Sequence, residues 1–131
     1  MVAGLEGLRI FQLAEDLADA VWTEVIEWKP FPQATVGRQL VEAADSVGAN
    51  ISEGHGRYHY REEITFDYYA RGSLKETRYW LRRARVRRIM ADATYQCLMA
   101  KVDQLEPQLN AYINSLERKA AAVPPKKRMA S

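Results

Sequence analysis

The sequence predicts an all-α protein folded as an antiparallel up-down four-helix bundle. Three observations carry that prediction. Apolar residues recur at steps of three and four through four successive segments. No run alternates apolar and polar residues for long enough to suggest a sheet. The breaks between segments are short, which sets consecutive helices side by side and antiparallel. With 131 residues, 47% apolar and 27% charged, the chain fits one soluble domain with one core, and it carries no internal repeat.

The first helix is expected over residues 8–28. Ile10, Leu13, Ala14, Leu17, Val21, Val25 and Trp28 mark one face, and Phe11, Ala18 and Trp22 widen it. Pro30 and Pro32 stop that helix, because proline lacks a donor and clashes with the preceding turn. A second helix begins near Thr35, a plausible N-cap, and buries Val36, Leu40, Ala43, Ala44, Val47 and Ile51. It ends at Gly54 or Gly56, since glycine takes the left-handed conformation at little cost.

The third helix is long, over residues 62–90. Its core face reads Phe66, Tyr69, Ala70, Ser73, Leu74, Thr77, Trp80, Leu81 and Ala84. Asp92 caps a fourth helix, in which Leu98, Val102, Leu105, Leu109, Tyr112, Ile113 and Leu116 repeat. Pro107 falls inside this helix, where it bends the axis or leaves a hydrogen bond unmade. The bundle is thus expected over residues 1–119. Residues 120–131, with Pro124, Pro125, Lys126, Lys127 and Arg128, read as a flexible basic tail.

A net charge of +2 says little about partners, but its distribution says more. Residues 1–29 carry six acids against Arg9 and Lys29. Residues 71–88 carry eight basic groups against Glu76 alone. Cys97, the single cysteine, excludes an internal disulfide and reads as a core residue in a reducing compartment. The N-terminus shows no secretory pattern and no apolar run spans a bilayer, so a cytoplasmic location without a membrane partner is expected. His55 and His59, four apart near Glu53, would suit a metal on a helix. Gly54 and Gly56 break the helix there, so a surface turn is the reading and no metal is expected. No phosphate loop, nucleophile elbow or Glu-x-x-His pair occurs, so neither catalytic residues nor a cofactor are expected.

Two short stretches go beyond periodicity. Gln39-Leu40, Ala43 or Ala44, Ser46, Asn50-Ile51 and Glu53-Gly54 close the second helix, and Ala70, Gly72-Ser73-Leu74 and Glu76 lie in the third. With Phe31-Pro32 between the first two helices, these pieces resemble the bacterial four-helix-bundle proteins of the 23S rRNA intervening-sequence family. The likeness spans roughly residues 8–117. It implies a left-handed bundle similar to ring-forming, often pentameric, relatives. It also implies kinship with accessory proteins of diversity-generating reverse transcriptases, which bind nucleic acid and the polymerase, so a reverse transcriptase or another protein is an expected partner. It carries no catalytic residues.

Physically the motif reads as structural. Ser46, Asn50 and Glu53 share one helix face, with Gly72 and Ser73 opposite. A close helix approach with a partnered polar network would fix register; the alternative is a ligand site for the same groups.

The third helix carries the functional candidates. At about 100° per residue, Arg71, Lys75, Arg78, Arg82 and Arg85 fall on one stripe ~21 Å long, away from the core face. That length spans several phosphates of a nucleic-acid strand. Arginine suits phosphate forks, and five occur between positions 82 and 88. Arg83 and Arg87 lie off the stripe toward Glu76, and Arg88 lies near the core edge. Tyr68, Tyr79, Val86 and Met90 flank it, with the tyrosines as candidate stacking groups for bases or, alternatively, as part of an oligomer interface. Three readings of the stripe stand together: RNA or single-stranded DNA binding, ion pairing with the acidic first helix of a neighbouring helix or subunit (Glu15, Asp19, Glu27), and plain solvation. The expected function is a non-catalytic homo-oligomer that binds nucleic acid, or alternatively a protein-interaction scaffold whose arginines serve assembly.

Overall fold

The computed structural model describes residues 4, 5 and 8–123. Four long helices form the bundle: α1 Arg9–Val25, α2 Arg38–Gly54, α3 Tyr60–Val86 and α4 Asp92–Ala122. α1 packs on α2 and α4, and α3 packs on the same two, so α1 and α3 sit across the diagonal. The axial positions anticipated from the periodicity fill the centre. Leu17, Val21, Leu40, Val47, Leu74, Leu81, Val102, Leu105, Leu109 and Ile113 are all fully buried. Among the described residues there is no strand, and no helix is long and apolar enough to cross a membrane.

The joint between α1 and α2 differs from expectation. Pro30 and Pro32 do not merely stop a helix; they begin the next one. A helical turn Pro30–Pro32 leads into a π-helical turn Gln33–Gly37 and then directly into α2. Proline suits the first helical turn because its missing N–H would have had no partner there. Thr35 is therefore inside helix, its hydroxyl donating to the Phe31 carbonyl, and caps nothing. Gln33 does the terminal work instead: its amide donates to the carbonyls of Val25 and Ile26 at 3.0 and 3.1 Å, covering the open end of α1. Gly37 is required by packing, since a Cβ there would lie 2.7 Å from Val25 Cγ1.

Several other assignments shift. α1 ends three residues before Trp28, whose indole stays buried and donates to Glu24 at 2.8 Å. Asp92 is the first residue of α4, and the cap position belongs to Ala91 without a side-chain bond. Pro107 rides on the exposed side of α4, which continues through it. Tyr69 and Cys97, read as core, are exposed, whereas Met90 on the supposed flank is buried. α4 runs past Lys119 to Ala122, and Ala120 packs with Ile64 and Leu116, so residues 120–122 belong to the bundle. The basic tail residues Lys126, Lys127 and Arg128 lie outside the described residues.

The Asn-Ile-Ser-Glu-Gly motif works locally rather than across helices. Ser46 donates to the Glu42 carbonyl and Asn50 to the Ser46 carbonyl, both back along their own helix. Glu53 is exposed and pairs with Arg57 at 2.7 Å. The part that joins helices is Gly54: a Cβ there would meet Phe66 Cβ at 2.8 Å and the Glu63 carbonyl at 3.2 Å. Gly56 then takes φ +85° and turns the chain into α3. Gly72 does not sit opposite the motif. It faces outward, and its neighbour Ser73 is buried.

Candidate nucleic-acid interface

The predicted basic stripe divides into a tied set and a free set. Arg78 is half-buried and bridges to α4, with Nη2 2.9 Å from Asp103 and 2.8 Å from Glu106 and Nη1 against the Met99 sulfur. Burial alone would lower its pKa. The hydrogen bond to Asp103 and the charge of Glu106 outweigh that, so the guanidinium is held charged still more firmly than usual. Arg71 donates to Asn110 at 3.2 Å and lies 4.6 Å over the Tyr68 ring. Arg85 lies 4.8 Å over Tyr95 and 3.6 Å from Asp92. These three recur every seven residues along the edge that faces α4. Each has a partner on α4, so the acids come from α4 and not from α1 as anticipated, while Arg85 itself stays exposed.

Lys75 and Arg82 are the stripe residues that remain exposed with no carboxylate partner among the described residues. Arg83, Arg87 and Arg88, thought to lie off the stripe, join them in having none. They gather at the end of α3, where the helix closes in a Schellman motif. Ile89 N–H donates to the Ala84 carbonyl at 2.9 Å and Arg88 N–H to the Arg85 carbonyl at 3.0 Å. The residue that takes the left-handed turn is Arg88, at φ 59°. Glycine is the ordinary occupant there, and an L-residue costs about 1–2 kcal/mol in that conformation. Among the described residues it is the one non-glycine residue with positive φ.

The tyrosines divide in the same way. Tyr68 donates to Glu117 at 2.7 Å and sits under Arg71. The bond to Glu117 raises its pKa first, with some burial of the phenol adding to it. Tyr79 is exposed and braced edge-on by Trp80, with ring centroids 5.0 Å apart. Val86 is exposed about two turns further on.

One polar cluster had no counterpart in the sequence reading. Glu63 and Asp67 are buried on α3, and Tyr112 of α4 donates to Glu63 at 2.6 Å. His55 Nδ1 lies 3.8 Å from Glu63 Oε2. Neither oxygen of Asp67 has a hydrogen-bond partner. Burial first, and the Glu63 charge second, push the Asp67 carboxyl up to about 7. Burial and the bond to Glu63 raise the Tyr112 phenol as well. His55 thus lies in a turn, as expected, with its ring half-buried against Glu63. Among the described residues no three His, Cys, Asp or Glu side chains converge to hold a metal.

The family model described as 23S rRNA-intervening sequence protein matches residues 6–111. The chain belongs to that family. Among solved structures it is similar to a protein of unknown function from the S23 ribosomal protein family of Bacteroides thetaiotaomicron. The TM-score is 0.72 and the identity 20%, over 79% of this chain and 97% of that one. At that identity the likeness concerns the four-helix fold. No curated protein matches the sequence. As a 23S rRNA-intervening sequence protein the chain carries its whole basic segment, both glycine motifs and the Arg88 turn within the matched span.

The tied arginines were within reach of the sequence. Arg71, Arg78 and Arg85 share one heptad position, and Asp92, Glu106 and Asn110 lie at matching heights on an antiparallel neighbour. The left-handed turn at Arg88 left no such trace, because arginine carries no turn signal.

Proposed function

We propose that the protein is a non-catalytic binder of RNA or single-stranded DNA that grips phosphates with the arginine cluster at the end of α3. The observation that carries this reading is the state of Arg83, Arg87 and Arg88. They are free of carboxylates among the described residues, and one is held in a backbone conformation that glycine would adopt more cheaply. An arginine kept where glycine is favoured points to a use for its side chain. Arg82 and Lys75 continue the charge down the helix, and Tyr79 offers an exposed ring for a base.

Unpaired guanidiniums bind phosphate bidentately and release counterions. Four such contacts to a single strand predict a slope near −3 for log affinity against log salt, at about 0.7 per contact. The helix and its closing turn fix the backbone of these groups, so only side-chain ordering opposes each contact. If copies assemble into the ring that the resemblance implies, weak contacts multiply through avidity.

The test is a titration of fluorescent single-stranded RNA, single-stranded DNA and duplex DNA at several salt concentrations. It compares the protein with the triple variant Arg83→Gln, Arg87→Gln, Arg88→Gln. Binding to single strands that weakens steeply with salt and is lost in the variant is the expected result. Absence of binding at low salt by the folded protein would refute the reading and favour a scaffold whose arginines serve assembly.

A further inference from the structure

Lys29, Arg87 and Arg88 are far apart in sequence and meet at one hollow. The end of α1, the joint over residues 29–32 and the turn from α3 into α4 come together there and line a pocket of about 550 Å3. That volume is in the range of pockets that hold a small ligand. Its floor is apolar, because Trp28 and Met90 reach it from the core. The three cations are exposed, and none of them is in an ion pair among the described residues.

Two carboxylates share the pocket. Glu24 accepts from the Trp28 indole at 2.8 Å, and Glu27 is exposed. Their presence bears on which anion fits. A strand that ran through the pocket would carry successive phosphates past both carboxylates, at a like-charge cost. A strand that ended there would bring one phosphate to the cations and leave the carboxylates to accept from ribose hydroxyls or base N–H groups. The three cations favour the same end. An internal phosphodiester carries one negative charge, whereas a terminal phosphomonoester carries roughly −1.5 to −2 near neutral pH and offers three strong acceptor oxygens. A neighbouring hollow lined by Arg85, Val86 and Asp92 shares Arg88 and Met90 with the pocket, so the pocket opens toward the exposed basic face of α3.

We propose that this pocket takes the phosphorylated end of a single strand, with the terminal phosphate among Lys29, Arg87 and Arg88 and the end nucleotide against Glu24 and Glu27. The proposal rests on the nucleic-acid reading above and narrows it, from any single strand to one with a phosphomonoester at its end. Lys29 separates the two. It lies outside α3 and has no place in a grip along that helix, yet it lines the pocket. A phosphate on the 5′ or the 3′ carbon presents the same chemistry to three cations, so the two ends are separate arms of the test.

The experiment measures fluorescence anisotropy of one short single-stranded RNA, labelled in mid-strand, with a 5′-phosphate, a 3′-phosphate or hydroxyls at both ends. The full chain is compared with Lys29→Gln, whose folding circular dichroism checks; the Lys29 side chain is exposed, so the substitution leaves the core alone. One of the phosphorylated ends is expected to bind on the order of tenfold tighter than the hydroxyl-ended strand. Lys29→Gln is expected to cut that preference to about threefold or less and to leave the hydroxyl-ended strand within about twofold. Equal, salt-dependent affinity for all three strands overturns the end pocket and leaves the broader nucleic-acid reading standing. A preference that Lys29→Gln leaves unchanged also overturns it, because the phosphate would then sit elsewhere. Free nucleoside 5′-monophosphate that competes as well as the phosphorylated strand overturns the strand as occupant in favour of a mononucleotide. Absence of binding to every strand at low salt removes both readings together.

Discussion

Changing Asp67 to Asn should stabilise the protein above neutral pH and do nothing in acid. Asp67 is 1% exposed and neither carboxylate oxygen is hydrogen-bonded. Glu63 on the same helix adds a like charge, Tyr112 of α4 spends its hydroxyl on Glu63, and His55 from the α2–α3 turn faces Glu63. The folded carboxyl therefore titrates near 7 instead of 3.8. Below about pH 4 both folded and unfolded chains hold the proton, and the site carries no penalty. As pH rises from about 4 to 7 the unfolded chain loses the proton while the folded chain keeps it, so stability falls by up to about 1.4 kcal/mol per pH unit. Above about pH 7 the full penalty, roughly 4 kcal/mol, is present. Asparagine has the same shape and never ionises. Urea unfolding followed by circular dichroism, run on both proteins from about pH 4 to 8, should show a difference that grows from near zero to a few kcal/mol. A difference that is flat with pH would refute the reasoning, because it would mean that Asp67 ionises freely in the folded state.

Three further outcomes follow from the geometry. Arg88→Gly should raise stability by about 0.5–1 kcal/mol, the relief of the left-handed turn less the extra freedom of glycine when unfolded, while weakening single-strand binding; denaturant midpoints and salt titrations read the two effects separately. Gly54→Ala should cost about 1–3 kcal/mol despite the better helix propensity of alanine, because its Cβ would press on Phe66 Cβ and the Glu63 backbone, whereas Gly48→Ala should be neutral or stabilising in the same thermal melts. Arg78→Gln should cost about 1–2 kcal/mol through the lost bonds to Asp103 and Glu106, and leave nucleic-acid affinity within about twofold; a large loss of affinity would mean that Arg78 leaves α4 to bind phosphate.

The four-helix architecture was legible because burial along a helix follows the local period. Leu13, Leu17 and Val21, or Leu98, Val102, Leu105 and Leu109, declare a face whatever they pack against. The candidate site was legible only as a density of arginine. The helical wheel put Arg71, Arg78 and Arg85 on one line with Lys75 and Arg82, but it could not say that this line borders α4. Three of the five were then consumed by Asp92, Asp103, Glu106, Asn110 and Tyr95. Cys97 and Tyr69 failed as core residues for a similar reason: an apolar residue can be placed on a helix from sequence, but whether a neighbour covers it depends on where the next helix lies.

Sequence-local physics sufficed for the number of helices, their approximate limits, the glycine stop after Ile51 and the concentration of positive charge near the end of α3. Each of these depends on residues within a few turns of one another. Contacts between helices settled the rest. They paired α3 with α4 and so divided the arginines into tied and free, and buried Glu63 and Asp67 near Tyr112. The left-handed turn at Arg88 belongs with these. Arginine has no preference for that conformation, so it is the way α3 must close to bring Ile89 and Met90 back onto the core that imposes it.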